Sequence, residues 1–299
     1  MERRKFIKTS ILLAGSAVLG SAHLFGKSTT FPSVVLIKNG KPAEMVRKAL
    51  DMLGGISQFI SKNDIVLLKP NISWDRAPEY AATSNPELMS EVIRLCYQAG
   101  AKNVIVLDNT CNEARRCYKN STLEETAQKA GADVRFVRDN HFSDTPIPNG
   151  TALKSWPIHN AVFEANKIIN MPILKHHGMS KVTIGFKNMM GLAGGNRGRL
   201  HLSFSQKIVD LNRVIVPQLT IVDAIRILKE NGPQGGNLED VIKMDTIIAG
   251  TDRVLVDAWS AKIFGLDPNK IEYLRIAHEA GMGEMDTDKF KPTQFVFKS

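Results

Sequence analysis

The sequence predicts an α/β fold, a mostly parallel doubly wound sheet with helices on both faces, built as a single large domain. Short apolar runs of strand length alternate with amphipathic runs of helical length along most of the chain, which is the signature of successive βα units. The 299 residues are 43% hydrophobic and 23% charged, enough for a large core and unlike a disordered or fibrous chain. Several expected strands also end in Lys, Asn or Asp, so their polar ends should share one edge of the sheet.

Residues 1–30 read as a leader and linker, and residues 31–299 as the α/β domain. Arg3-Arg4-Lys5-Phe6-Ile7-Lys8 matches a twin-arginine export motif. The apolar run at 11–19 is shorter than the ~20 residues that span a bilayer, so it suits a removable signal cleaved near Ala22. The expected location is the periplasm, with the twin-arginine translocase as a partner during export and no stable membrane span after processing. No cysteine stands near the cleavage region, which argues against a lipoprotein. The leader holds Arg3, Arg4, Lys5, Lys8 and Lys27 against Glu2, so part of the formal net charge of +9 belongs to it.

Residues 33–37 form the first expected strand. A helix at 42–53 follows, with Pro42 in its first turn and Gly54-Gly55 at its end. A strand at 64–68 ends in Lys69-Pro70-Asn71. The loop 72–84, with Trp74, Asp75, Arg76 and Tyr80, is long enough for a lid or ligand loop. Asn85 caps a helix that starts at Pro86 and runs to Gly100. A strand at 104–107 ends in Asp108-Asn109-Thr110. Ser121 and Glu124 match a capping box for a helix stopping near Gly131, before a strand at 133–137. Residues 138–158 are richer in Pro and Gly and read as an excursion at the sheet's edge.

The apolar run 168–174 reads as a buried strand, with Lys175-His176-His177 just past its carboxyl end. A helix at 203–214 and a strand at 219–222, ending in Asp223, come next. The loop 231–236 is turn chemistry throughout. A strand at 245–249 leads to Asp252, which can cap a helix carrying Asp257 and ending at Gly265. A helix at 269–280 and a strand at 294–297 close the chain.

Collected at one edge, the strand ends form a candidate crevice. Lys69, Asn71, Asn109, Lys175, Lys187 and Asn188 supply cations and amides suited to a carboxylate or phosphate. His176, His177, His201 and Asp223 supply candidates for acid–base catalysis near neutral pH. Asp108, Asp223 and His177 are candidate ligands for a divalent metal. The loop 191–198, with Asn196 and Arg197 and the following Arg199, adds backbone N–H groups but is neither a Walker loop nor a dinucleotide fingerprint. Closely spaced lysines depress one another's pKa, which allows a neutral amine to act as base or to form an imine. Asp252 has the plainer role of a helix cap. Cys96, Cys111 and Cys117 are too few for a four-cysteine iron–sulfur site; in an oxidising compartment Cys111 and Cys117 are candidates for a small-loop disulfide, with a catalytic thiol as the alternative.

Certain stretches resemble the domain of unknown function family 362. They are LLKPN at 67–71, TSNP at 83–86, LDN at 107–109, INMPILKHH, VTIGFKNMMG, His201, IVDAI with the later GP-x-GG, and DRVLVDAWSAKIFG. The resemblance covers nearly the whole mature chain. It implies that Lys69, Asn71, Lys175, His177, Lys187, Asn188, His201, Asp223 and Asp257 occupy the family's motif positions, and it implies no particular reaction. Some relatives carry ferredoxin-like modules, whose clustered cysteines are missing here. The expected function is an exported enzyme acting on a small anion, with a non-catalytic periplasmic binding or cofactor-handling protein as the alternative. Nucleic-acid binding is not expected, because the aromatics are not interleaved with a basic stripe.

Overall fold

The computed structural model describes residues 31–298; the twin-arginine motif and the proposed cleavage site lie outside the described residues. In chain order the elements are β1 (Val34–Lys38), α1 (Pro42–Met52), β2 (Ile65–Pro70), α2 (Pro86–Gln98), β3 (Asn103–Val106), α3 (Ala114–Asn120), α4 (Leu123–Lys129) and β4 (Asp133–Val134). They continue with β5 (Phe142–Pro146), β6 (Ser155–His159), α5 (Ala161–Glu164), β7 (Lys167–Met171), β8 (Ile173–His177), β9 (Lys181–Thr183), α6 (Gly185–Asn188) and α7 (Phe204–Leu211). The last are β10 (Leu219–Leu228), β11 (Val241–Gly250), α8 (Arg253–Phe264), α9 (Glu272–Glu279) and β12 (Thr293–Val296).

The main sheet runs β12-β1-β11-β10-β7-β2-β3-β4. The four neighbouring pairs from β10 through β7, β2 and β3 to β4 are all parallel, whereas β11 is antiparallel to both β1 and β10. The side chains of alternate residues build two cores. Leu67, Ile105 and Ile168 face one side, against Phe186, Ile208, Val254 and Leu274 from α6 to α9. Val66, Val104 and Ile169 face the other, against Met45, Val92 and Leu123 from α1, α2 and α4. Each such aliphatic side chain contributes ~1.5–3 kcal/mol when fully buried. The fold is thus a mostly parallel mixed sheet with helices on both faces.

Several boundaries differ from the sequence reading for identifiable reasons. The run 168–174 is two strands. Pro172 cannot donate to a ladder, and β10 passes from β7 at Leu219 and Thr220 to β8 at Asp223 and Leu228. Lys175, His176 and His177 therefore lie within a strand rather than past one. Asp223 is likewise internal, because β10 continues to Leu228 against a β11 that starts at Val241. The 138–158 excursion is a separate two-stranded ladder of β5 and β6.

The helix α3 escapes the sequence reading because its seven residues, ARRCYKN, bury only Cys117 and Tyr118. Ser121 is not the cap expected of it: that position belongs to Thr122, in a left-handed conformation with no side-chain cap bond. The candidate disulfide is also corrected. Cys96, Cys111 and Cys117 are all free, Cys111 is exposed, and the buried Cys117 turns its Sγ toward the Ser73 carbonyl at 3.8 Å.

Candidate functional site

Past the carboxyl ends of β2 and β3, and beside β8, lies a cavity of about 540 Å³, within the range of small-molecule sites. Lys175, Lys187, Arg197, His177 and His201 line it, together with Asn71, Asn188, Trp74 and Cys111, and among the described residues its wall contains no Asp or Glu.

Behind that wall a buried polar network fixes the side chains. Lys69 pairs with Asp108 at 2.8 Å, both almost fully buried, and also donates to the Pro70 carbonyl and to Asn188 Oδ1. Asp108 accepts from the Ile72 backbone N–H at 2.6 Å and from Ser73 Oγ at 3.3 Å. Gly191 is required here, since a Cβ would stand 1.9 Å from Asp108 Oδ1 and 2.6 Å from Lys69 Nζ.

Asn188 is the hub. Its Oδ1 accepts from Lys69 and from Asn71 Nδ2, each at 3.0 Å, while its Nδ2 donates to Asn170 Oδ1 and the Lys69 carbonyl. Asn71 Oδ1 in turn accepts from Lys175 Nζ at 3.0 Å, and the Ala82 carbonyl takes a second Lys175 proton. A buried amide network satisfied in this way leaves little freedom of position.

The short helix α6 presents Lys187 and Asn188, and its N-terminus is held from α8. The buried Asp257 accepts from the backbone N–H groups of Gly185 at 2.8 Å and Phe186 at 3.0 Å, and from Tyr273 Oη at 3.2 Å. Burial raises the Asp257 carboxyl to about 7, with those hydrogen bonds opposing the shift. A Cβ on Gly185 would meet Asp257 Oδ1 at 2.6 Å, so only glycine lets this helix start against the carboxylate.

The electrostatics of the cavity disfavour positive charge on its own lysines. Burial lowers Lys175 to about 7, helped by Lys187 and Lys69. Lys187 is lowered to about 8, chiefly by burial and then by Arg197 and Lys69. Lys69 is also lowered by burial, although Asp108 opposes this. Arg197 keeps its place by donating to the carbonyls of Asn109 and Thr110, each at 2.7 Å.

His177 is held neutral, pushed down to about 3 by burial and by Lys187 and Lys175. Its Nδ1 accepts from the backbone N–H groups of Met179 and Ser180, which leaves the proton on Nε2. His201 stacks beside it with ring centroids 6.2 Å apart, is only part-buried, and is also lowered, mainly by burial.

The structure therefore brings Asn71, Lys175, His177, Lys187, Asn188 and His201 to the cavity wall. Lys69 and Asp108 stand behind it. Asn109 is turned aside, its Nδ2 donating to the Ala193 carbonyl. His176 points to the opposite side of β8 from Lys175 and His177, where its Nδ1 accepts from Gly232 N–H.

Asp223 is a correction as a catalytic residue. It lies off this cavity, accepting from the N–H groups of Asn85 and Ile225, and burial raises it to about 6. The metal set of Asp108, Asp223 and His177 is corrected with it. Asp108 is spent on Lys69 and Asp223 on the start of α2, and among the described residues no three His, Cys, Asp or Glu side chains converge as a metal cage. Asp252 is the cap expected, accepting from Val254 and Leu255. Trp74 comes from the expected ligand loop and Arg197 from the glycine-rich loop expected at the crevice, and Cys111 is the addition. Arg197 stood in the sequence only as part of a glycine-rich loop, and its anchoring on the 109–110 turn is a long-range contact with no local signal.

Fold and site together define an α/β protein with a cationic, carboxylate-free ligand cavity at the carboxyl edge of its parallel strands. The chain belongs to the family DUF362, described as a domain of unknown function, whose model matches residues 66–262. It is 25% identical over 245 residues to the thylakoid-associated protein sll1697 of Synechocystis, covering 79% of this chain and 74% of that one. In fold it is similar to the lactate racemase apoprotein from Thermoanaerobacterium thermosaccharolyticum, with a TM-score of 0.51 and 11% identity. That match covers 78% of this chain and 57% of the racemase.

Proposed function

We propose that this cavity binds a small carboxylate or phosphate ligand and that the protein is an enzyme acting on it by proton transfer. The observation that carries the reading is the wall itself, with Lys175, Lys187 and Arg197 converging and, among the described residues, no acidic side chain in the wall to neutralise them. An anion entering this space relieves the mutual repulsion of the cations and restores their charged forms. Arg197, already oriented by two carbonyls, is suited to a planar anion. His177 serves as a neutral Nε2–H donor. His201, part-exposed and less constrained, is the better candidate to carry a proton between ligand and solvent. The twin-arginine motif supports a site of action outside the cytoplasm, with export before ligand capture.

The test is calorimetric titration with glycolate and with inorganic phosphate. Lys175→Gln and Arg197→Gln should each weaken binding by about 1.5–3 kcal/mol, the worth of a charge-assisted hydrogen bond. Failure of both anions to bind, or unchanged affinity in both variants, overturns the anion reading. Turnover is checked by deuterium incorporation from D2O into bound 2-hydroxy and 2-oxo acids. His201→Gln should abolish incorporation while sparing affinity, and equal incorporation in the variant removes His201 from proton transfer.

A further inference from the structure

We propose that Lys187 captures its ligand covalently, its amine condensing with the carbonyl carbon of an anionic aldehyde or ketone to form an imine. This rests on the anion-binding reading above and assigns the ligand a second feature, an electrophilic carbonyl.

The three lysines of the site differ in what their nitrogens touch. Lys69 Nζ is occupied by Asp108, the Pro70 carbonyl and Asn188. Lys175 Nζ is held by Asn71 Oδ1 and the Ala82 carbonyl. Among the described residues, Lys187 Nζ meets Met190 Sδ at 3.6 Å and the Phe204 ring, 5.5 Å away at its centroid, and no oxygen acceptor. A thioether and a ring face do not replace the water an ammonium loses on leaving solvent, so this is a poor place for charge and a good one for a free amine. The groups acting on it are Lys69 and Arg197, which disfavour its charge, and Cys111, which favours it. The balance holds Lys187 at about 8, so about a tenth of it carries a free lone pair at pH 7, far more than an ordinary lysine does.

Position completes the argument. Lys187 sits on a turn locked by Asp257 on one side and by the Asn188 hub on the other. Arg197 and Lys175 share the cavity wall with it and remain to hold the anionic end of a ligand. In the reaction the Lys187 lone pair attacks the carbonyl carbon, and the carbonyl π electrons move to oxygen, which takes a proton. The resulting carbinolamine expels that oxygen as water as the C=N bond forms, both amine protons leaving with it. One water is released, and no oxidant or reductant is needed.

The experiment uses glyoxylate, a small anionic aldehyde, and glycolate, the same anion with an alcohol in place of the aldehyde. Full-length protein is treated with glyoxylate and cyanoborohydride, which reduces an imine to a stable secondary amine, and the adduct is located by peptide mass spectrometry. Labelling at Lys187 roughly tenfold or more faster than at exposed lysines, suppressed by excess glycolate, is the expected result. Lys187→Arg should lose that label while its circular dichroism and urea unfolding midpoint stay those of the unchanged protein, which shows that the variant is folded. Glycolate binding without preferential Lys187 labelling, or labelling centred on Lys175, overturns the covalent assignment and leaves the anion reading standing. Failure of glycolate, glyoxylate and phosphate to bind at all overturns both.

Discussion

Replacing Lys69 by Met separates structural support from ligand binding in this site. Lys69 and Asp108 are each about 1% exposed and 2.8 Å apart. Lys69→Met keeps most of the aliphatic volume but strands the Asp108 carboxylate with only the Ile72 N–H and Ser73 Oγ as partners. Removing one member of a buried pair typically costs about 3–5 kcal/mol, because an uncompensated charge remains. Asn188 Oδ1 also loses one of its two donors, although Asn71 keeps it satisfied. Asp108→Asn should cost less, since the stranded Lys69 can discharge, a change its burial already favours. The double variant should recover part of the Lys69→Met loss, with a coupling of about 1–3 kcal/mol. Urea unfolding of the four proteins, with slopes compared to exclude a change in the unfolded state, measures this cycle. A Lys69→Met cost below about 1 kcal/mol, or strict additivity, would refute the view of Lys69 as the buried counter-ion of Asp108.

Asp257→Asn should lower stability by about 1–3 kcal/mol, because an amide cannot accept from the Gly185 and Phe186 N–H groups through both of its heavy atoms. Unfolding measurements check this, and the variant should also bind glycolate more weakly, since Lys187 and Asn188 hang from that turn. Asp257 and Lys175 should make opposite contributions to the pH dependence of folding stability, the first set against the rise through the acid range that the depressed His177 contributes. Asp257, raised to about 7, loses stability as pH climbs from the ordinary carboxylate range to 7, and Lys175, lowered to about 7, regains stability only above it. Unfolding free energy followed from about pH 5 to about pH 9 tests this, and an acid limb left unchanged by Asp257→Asn would count against it. Changing Arg3-Arg4 to Lys-Lys should leave the protein unprocessed in the cytoplasm, as read by fractionation, and normal processing would sink the export reading.

The alternation of strands and helices was legible because local patterning carries it. The apolar residues of β2, β3 and β7 are continuous, and Asn85 and Asp252 cap the helices assigned to them. The site was legible only in part. Lys175, His177, Lys187 and His201 are gathered on one cavity wall, as collecting strand ends suggests, but Asp223 is not among them. An aspartate after an apolar run looks the same whether the strand stops there or continues, and the continuation depends on pairing with β8 and β11, which no local window contains. Asp108 fails as a metal ligand for a related reason: its counter-ion is Lys69, 39 positions earlier, brought alongside by the β2–β3 pairing. Arg197 reads from sequence only as part of the glycine-rich loop at the crevice; its anchoring is not legible, because its partners are backbone carbonyls, which have no residue type to read.

The network behind the wall and the chemistry in front of it are one arrangement. Asn188 ties the Lys69–Asp108 pair to Asn71, and Asn71 ties to Lys175, so this fully buried ion pair lies one amide away from the cavity. Lys69, with a carboxylate beside it, can remain an ammonium and supply field. Lys175 and Lys187, with carbonyls, an amide, a thioether and a ring beside them, are left to titrate near neutral pH. Placing the Asp108 carboxylate behind Gly191, beside Lys69, thus divides three lysines into one structural cation and two amines whose charge depends on what enters. An anion that arrives charges them; a carbonyl compound can instead bond to the one without polar partners. The arrangement therefore requires that noncovalent glycolate affinity fall as pH rises through about 7–8 while glyoxylate capture first increases over the same interval, and parallel changes in the two would mean that a single protonation state serves both.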